Sequence, residues 1–223
     1  MTTATAADYS WIRSPSSLFK FAMEVGYTLT LVQGVSPEKL YALAGAEASG
    51  RCHGFDELVE CHWELLDEFD HWPDAFLTGT LTLPSPAGTW TLALEFGGGL
   101  GTRDSFMEPL SYGTRAVSHS SNGGKPMDFF HWYENGLLRT TFEWPGDRTG
   151  TTPDDLNQRM REVGLNPSGD QNPDVDRKAA VLALTERLTG VRLTEELLRQ
   201  AEYITAVVPE EQIKGSGSLV VLP

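Results

Sequence analysis

The sequence predicts an α+β fold, in which a mainly antiparallel sheet of about five or six strands is flanked by helices, with the C-terminal helices packed on the sheet. Three patterns support this prediction: an Asn-Gly turn between two aromatic runs, a second strand pair around a Pro/Gly loop, and a long amphipathic helix. At 223 residues the chain can bury a sizeable core. We expect one domain over 1–209, with a sheet-rich core at 27–144, a helical part at 152–205 and a linker-like tail at 210–223.

The first elements follow from local signals. Residues 16–25 suggest a short helix, and the alternating, β-branched run Tyr27–Gln33 predicts a strand. Ser36 and Pro37 predict the start of a helix, because serine caps helices and proline fits their first turn. Gly45 predicts its end.

A second pair of strands is expected over 77–96, where leucine and aromatic residues alternate with threonine on either side of the loop PSPAG. The run GGGLG at 97–101 matches neither glycine pattern that binds phosphate, so we interpret it as a turn at the end of a strand. Residues 106–110 suggest a turn of helix, and 115–119 suggest a short strand.

The run MDFFHWYENGLLRTTFEW predicts the hairpin on which the sheet is built. Asn135 and Gly136 both tolerate positive φ, as a two-residue type I′ turn requires. This turn places Tyr133 opposite Leu138, Trp132 opposite Arg139 and His131 opposite Thr140, and the pairing continues in the same register away from the turn. The face predicted to be the core side carries Met127, Phe129, His131, Tyr133, Leu138, Thr140, Phe142 and Trp144. The other face carries Asp128, Phe130, Trp132, Glu134, Leu137, Arg139, Thr141 and Glu143.

Two large aromatic side chains, Phe130 and Trp132, are unexpected on that second, charged face. With Arg139 placed to stack on Trp132, they form a candidate partner-binding patch. The alternative is that a helix from elsewhere in the chain covers them. On the first face, His131 is expected to be a core residue that bonds its cross-strand Thr140, rather than a metal ligand or a base.

The strongest helical pattern in the chain covers 54–72. Its apolar stripe consists of Phe55, Leu58, Val59, His62, Leu65, Leu66 and Phe69. The opposite side is acidic and consists of Asp56, Glu57, Glu60, Glu64, Asp67 and Glu68. A solvated face is the simpler interpretation. The alternative is a docking surface for a basic protein, with Glu57, Glu60, Glu64 and Asp67 as candidate partner-binding residues.

The C-terminal part is predicted to be mainly helical. Cap and stop residues indicate helices over 152–163, 175–189 and 194–203. The run ITAVV at 204–208 suggests an edge strand.

Two Cys-His pairs, at Cys52-His53 and Cys61-His62, offer four groups of the kinds that bind zinc. Structural zinc sites usually have two cysteines two to four residues apart, and neighbours on a helix point about 100° away from each other. We therefore predict no metal site and no cofactor.

Ser118, His119 and Asp128 supply the residue types of a hydrolytic triad, but no nucleophile motif such as GxSxG surrounds the serine. A pocket lined by His119 and His131, with the aromatic residues nearby, is the alternative location for an enzyme or small-ligand site.

The composition narrows the choice of partners. A formal net charge of −14 disfavours nucleic acid and anionic membrane. The N-terminal residues do not resemble a signal peptide, and no stretch is long and apolar enough to span a bilayer. We expect a soluble cytoplasmic protein whose two cysteines are thiols.

Several stretches carry a resemblance to a known family: YTLTLVQGVSPEKLYALAGAE, MEPLSYGTRAVSH, HWYENGLLRTTFEW, MREVGL and ALTERLTGVRLTEELL through to AVVP. On these stretches, which cover most of 27–209, the chain resembles an uncharacterised family of actinobacterial proteins, domain of unknown function 6461. It departs after the VSH triplet, where SSNGGKPMD replaces an Asn-rich connection, so a site built there in relatives would be altered here. The resemblance implies a single compact domain and no catalytic residue.

These observations favour a non-enzymatic cytoplasmic protein-binding module, an adaptor or a neutralising partner of a basic protein. The second hypothesis is a small-ligand binder or an enzyme with a histidine-containing pocket. A third is a homodimer that buries the aromatic face carrying Phe130 and Trp132 against itself.

Overall fold

A fully antiparallel sheet of eight strands forms the centre of the protein in the computed structural model, which describes residues 3–67, 75–97, 99–123, 127–169 and 172–209. The strands are β1 (Tyr27–Gln33), β2 (Glu47–His53), β3 (Ala75–Ser85), β4 (Gly88–Phe96), β5 (Arg115–Ser121), β6 (Asp128–Glu134), β7 (Leu137–Phe142) and β8 (Glu202–Pro209). Their order across the sheet is β2-β8-β3-β4-β1-β5-β6-β7.

The sheet is larger than the five or six strands predicted, and β2 and β8 account for the difference. β2 carries no strand signal, because six of its seven residues are exposed and no apolar alternation results. β8 was expected at an edge, but it lies between β2 and β3 and pairs with both.

In the part of the chain that the structure describes, seven α-helices accompany the sheet: α1 (Lys20–Val25), α2 (Pro37–Ala44), α3 (Gly54–Asp67), α4 (Asp104–Leu110), α5 (Asn157–Val163), α6 (Arg177–Thr189) and α7 (Glu195–Gln200). The same described residues contain 3₁₀ helices at 6–13, 100–102 and 145–147. The predicted caps of α2 and α7 are confirmed, since the hydroxyls of Ser36 and Thr194 accept hydrogen bonds from the N–H groups of Lys39 and Leu197.

Some predicted boundaries need correction. The helix expected to begin at 152 begins at Asn157, because 152–156 form turns. The helix expected to end at 203 ends at Gln200, where the chain turns into β8. Residues 68–72 of the predicted long helix and the predicted tail 210–223 lie outside the described residues.

Helices cover both faces of the sheet. The front face, which carries Leu29, Leu94 and Phe130, packs against the 3₁₀ helix 6–13 and against α1, α3, α5, α6 and α7. The back face, which carries Ala93 and Tyr133, packs against α2, α4 and the 3₁₀ helix 100–102. Within the described ranges, no helix combines the length and hydropathy needed to cross a membrane.

The β6–β7 hairpin has the predicted turn, with φ of 53° at Asn135 and 76° at Gly136, and Tyr133 pairs with Leu138 as expected. Farther from the turn the predicted register is wrong by one residue. A β-bulge leaves Arg139 as an extra residue in β7, so Trp132 pairs with Thr140 and His131 with Thr141. The bulge also moves Phe142 from the predicted face.

After the bulge, Phe130 pairs with Phe142, and their rings stack with centroids 4.9 Å apart. Phe130 and Trp132 are 1% and 8% exposed and belong to the core that includes residues of α5 and α6. The prediction that they form an exposed binding patch is therefore wrong, because the alternative of a covering layer of helices is the one observed. The same burial removes the surface on which a homodimer was expected.

Candidate functional site

The acidic side of α3 is the predicted surface that remains exposed. Its apolar side packs on the front face, where Leu58 lies so close to Gly79 that a Cβ at that glycine would be 2.6 Å from a Leu58 methyl group. This close packing fixes which side of the helix faces outward. The exposed carboxylates are those of Asp56, Glu57, Glu60, Glu64 and Asp67, of which the last four are the predicted partner-binding residues.

Trp63 lies at the border between the apolar stripe of α3 and these carboxylates, and it is 47% exposed. Its ring packs edge-on against Phe21, with centroids 5.6 Å apart, so one side of the indole is supported by α1. Helical spacing places Glu60 and Asp67, three residues before and four after, beside it. We call Glu57, Glu60, Trp63, Glu64 and Asp67 together the α3 acidic face.

Trp63 was not among the predicted site residues, although the sequence carries a signal for it. Trp63 falls outside the apolar stripe of 54–72 and stands between acidic positions, which is unusual for the largest apolar side chain. An exposed tryptophan on a charged face is typical of an interaction surface.

The charges of the α3 acidic face are not neutralised locally. Over the described ranges, Glu60, Glu64 and Asp67 form no ion pair, and Glu57 accepts a hydrogen bond from the His53 backbone N–H at 2.5 Å. Some acidic residues elsewhere are paired with arginines, such as Asp8 with Arg192, Asp155 with Arg139, and Glu202 with Arg51. The face therefore presents an uncompensated negative potential.

Arg139, predicted to stack on Trp132, does so, with its guanidinium carbon 5.6 Å from the ring centroid. It also donates hydrogen bonds to Thr152 and Asp155. Its contacts thus hold the bulge of β7 against the loop that leads to α5.

The residues of the predicted triad do not come together. Ser118 and His119 are neighbours in β5 and therefore lie on opposite faces of the sheet. On the back face, the hydroxyl of Ser118 donates to the carbonyl of Gly101 at 2.5 Å. On the front face, His119 Nδ1 lies 3.0 Å from the Tyr27 hydroxyl. A hydrolytic triad of Ser118, His119 and Asp128 is excluded by this arrangement.

A closed cluster of charged groups surrounds His119. Lys178 pairs with Asp128 and donates to the hydroxyl of Ser121 at 2.7 Å, and Arg177 pairs with Asp128 at 3.1 Å. Burial lowers the pKa of His119 to about 3, so its ring is neutral near pH 7. The crevice that these groups line is too narrow to hold even a water molecule. It has no room for a substrate.

His131 lies on the back face, opposite in direction to His119, so the predicted pocket lined by both histidines is wrong. The prediction that His131 bonds a cross-strand threonine is confirmed, but the partner is Thr141, with Nδ1 and Oγ1 2.9 Å apart, because of the bulge. Burial lowers the pKa of His131 to about 4.

The two cysteines are free thiols, and their sulfur atoms lie 2.7 Å apart. The ring of His62 packs among Phe21, Trp63 and Phe96, and burial lowers its pKa to about 4. Within the described part of the chain, no three His, Cys, Asp or Glu side chains are arranged to hold a metal ion.

The turn predicted after β4 covers a buried acid. Gly97 has φ of 64° and ends the strand, and the N–H of Leu100 donates to the carboxyl of Glu95 at 3.0 Å. Gly101 fits closely here, because a Cβ would lie 2.2 Å from Thr30 Oγ1. Burial raises the pKa of Glu95 to about 8, which keeps this carboxyl protonated near pH 7.

Comparison with known proteins yields one family. A family model described as "Family of unknown function (DUF6461)" matches residues 2–213. No curated protein and no solved structure matches the chain significantly. The resemblance to this family inferred from the sequence is confirmed, and the expected actinobacterial source stays a prediction.

Proposed function

Because the chain belongs to DUF6461, a family of unknown function, we propose its function from its own geometry: it binds a basic protein through the α3 acidic face. The observation that carries the proposal is the exposed Trp63, which lies beside carboxylates that have no ion-pair partner among the described residues. The protein would then be a non-enzymatic binding module, an adaptor or a neutralising partner.

Trp63 has the properties of an interface anchor. Tryptophan is enriched among the residues that contribute most to protein–protein binding, because it buries a large apolar area at low cost in side-chain entropy. Its contact with Phe21 limits its motion before binding. The carboxylates of Glu60 and Asp67 beside it provide a polar rim on one side of this anchor.

The charge of the surface specifies the chemistry of the partner. Glu57, Glu60, Glu64 and Asp67 lie within three turns of one helix, and the whole chain has a formal charge of −14. A partner with lysine or arginine side chains around an apolar pocket complements this surface and is attracted to it at low salt.

The test is quantitative capture of a partner from the natural host at low salt, compared between the wild-type chain and two variants. Trp63→Ala removes the anchor, and Glu60→Lys with Glu64→Lys reverses the rim. Each is expected to weaken binding at least about 30-fold, as for an anchor worth about 2 kcal/mol. The captured protein should be basic, and added salt should release it.

Tyr112→Ala provides the matched control, because Tyr112 is 69% exposed and packs beside Gly136, away from α3. This variant should bind as the wild-type chain does. Equal capture by the wild-type chain and the Trp63→Ala variant, with the fold intact, would contradict the proposal.

A cleft of about 380 Å³ supports a second candidate function, small-ligand binding. It lies where β1 begins and β5 ends, and its described lining is uncharged. Thr28, Thr102 and Ser120 contribute hydroxyl groups, and Met127 and Phe129 contribute apolar surface. This cleft favours a small neutral ligand, and it has no histidine among its described lining residues.

Native mass spectrometry of the chain purified from its host tests this second function. A bound ligand would appear as extra mass that denaturation removes. Met127→Trp should abolish the extra mass by filling the cleft, because Met127 lines it and is 41% exposed. Extra mass that persists in the variant would place the ligand elsewhere.

A further inference from the structure

Cys52 and Cys61 lie against each other at one edge of the sheet. Cys52 is in β2, an edge strand, and Cys61 is in α3, nine positions later in the sequence. We propose that these two residues form a reversible intramolecular disulfide that fastens α3 to β2. The inference is independent of what the α3 acidic face binds.

The distance between the sulfur atoms carries the proposal. At 2.7 Å, they are closer than two sulfur atoms in ordinary contact, and an approach of about 0.7 Å brings them to the length of a disulfide bond. Both residues sit on regular elements that are held by the sheet, since Cys52 pairs across the strand with the buried Tyr203. The pair is therefore aligned before any oxidant arrives.

The two thiols differ in solvent exposure, and this difference determines which of them reacts first with an oxidant. Cys52 is 2% exposed, whereas Cys61 is half-buried. Burial first, then the neighbouring Cys61 and the carboxylates of Glu57 and Glu64, raise the pKa of Cys52 to about 12. Cys61 therefore reacts with the oxidant first, and Cys52 then attacks the mixed disulfide that forms on Cys61.

The nearby carboxylates select the oxidant class. Glu57 and Glu64 repel anions, so the fitting oxidant is a small neutral disulfide. The Cys61 thiolate attacks one sulfur of that disulfide, whose S–S bond breaks and releases a thiolate that takes up a proton. The resulting mixed disulfide is attacked by Cys52, which loses its proton as the second thiol leaves. Overall the protein loses two protons and two electrons, and the reagent takes them up and becomes two thiols.

The chain has two cysteines, so their pairing can be measured on the whole protein. The protein is equilibrated with graded ratios of 2-mercaptoethanol and bis(2-hydroxyethyl) disulfide, then trapped with N-ethylmaleimide and weighed by mass spectrometry. The disulfide form carries no maleimide and is lighter than the untreated dithiol by two hydrogen atoms, whereas the reduced chain carries at least one maleimide. The folded chain should form it with an equilibrium constant on the order of 100-fold larger than the same chain in urea.

Equal constants for the folded and the unfolded chain would overturn the proposal. So would a mixed disulfide or a covalent dimer as the main product of the folded chain. Two variants check the order of events: Cys52→Ser should stop at a mixed disulfide on Cys61, and Cys61→Ser should leave Cys52 unmodified because it is buried. Circular dichroism of each variant checks that the variant is folded. The comparison of the folded and the urea-unfolded wild-type chain does not depend on these variants.

Discussion

Two acidic regions on the front face of the sheet have opposite surroundings. At α6, Asp128 is buried and held by Lys178 and Arg177. Burial alone would raise the pKa of Asp128, but the hydrogen bond and the charge of Lys178 outweigh it and the pKa is lowered. At α3, the carboxylates are exposed, and those of Glu60 and Glu64 have no ion-pair partner among the described residues. Charges that satisfy each other hold the fold, and charges that face solvent unpaired are available for recognition.

The largest effect is expected at the α6 cluster. Asp128→Ala removes the counter-ion of two cations, one of them almost fully buried, and should lower the free energy of unfolding by about 3–5 kcal/mol. Urea denaturation at pH 7 measures this loss. The double variant Asp128→Leu with Lys178→Met should recover most of the lost free energy of unfolding, because both buried charges of this ion pair disappear. A loss below about 1 kcal/mol for Asp128→Ala would show that the cluster does not hold the fold.

A second prediction concerns Glu95, a carboxyl that is buried in the back layer. Folding raises its pKa from 4.5 to about 8, so the folded protein keeps a proton that the unfolded chain releases. The protonated Glu95 side chain contributes its whole share of the free energy of unfolding below pH 4.5. This share decreases as the pH rises above 4.5 and is lost as the pH passes 8. Glu95→Gln should therefore stabilise the protein by about 3 kcal/mol at pH 7 and by little near pH 4.5. A gain that does not change with pH would contradict this assignment.

A third prediction follows from the proposed disulfide. Closing a loop of about nine residues should raise the free energy of unfolding by about 2–3 kcal/mol in the oxidised protein. Urea denaturation of the oxidised and reduced forms measures the difference. The Cys61→Ser variant should show no such difference under the same two conditions, and a difference there would assign the effect to another oxidation.

The smallest effect on stability is expected at the α3 acidic face. Glu60→Gln and Glu64→Gln should each change the free energy of unfolding by less than about 0.5 kcal/mol, because both side chains are exposed. The same variants should weaken capture of a basic partner. A loss of stability comparable to that of Asp128→Ala would mean that these carboxylates are structural and would remove the contrast between the two regions.

The sequence predicted those parts of the fold whose signals are local. The Asn135-Gly136 turn, the caps of α2 and α7 and the apolar side of α3 depend on neighbouring residues, and the structure contains each of them. β2 was not predicted, because a strand that is exposed at the edge of a sheet needs no alternation of apolar residues.

The errors in the hairpin have a long-range cause. A bulge cannot be identified from alternation alone, because it is stabilised by tertiary contacts such as those of Arg139 with Thr152 and Asp155. The burial of Phe130 and Trp132 depends on α5 and α6, which lie later in the chain. Of the candidate site, the carboxylates of α3 and the position of Trp63 outside the apolar stripe were predictable, but the contact of Trp63 with Phe21 of α1 is a tertiary contact that local patterns do not show.

Hydrogen exchange on the complex with the captured basic partner tests the central claim most directly. Amide protection that is gained on binding should be concentrated in α3, around Trp63, with no change around Tyr112 and Leu137 on the opposite part of the surface. Protection concentrated around Tyr112 and Leu137, or no basic partner captured at low salt, would contradict the assignment of the α3 acidic face as the recognition surface.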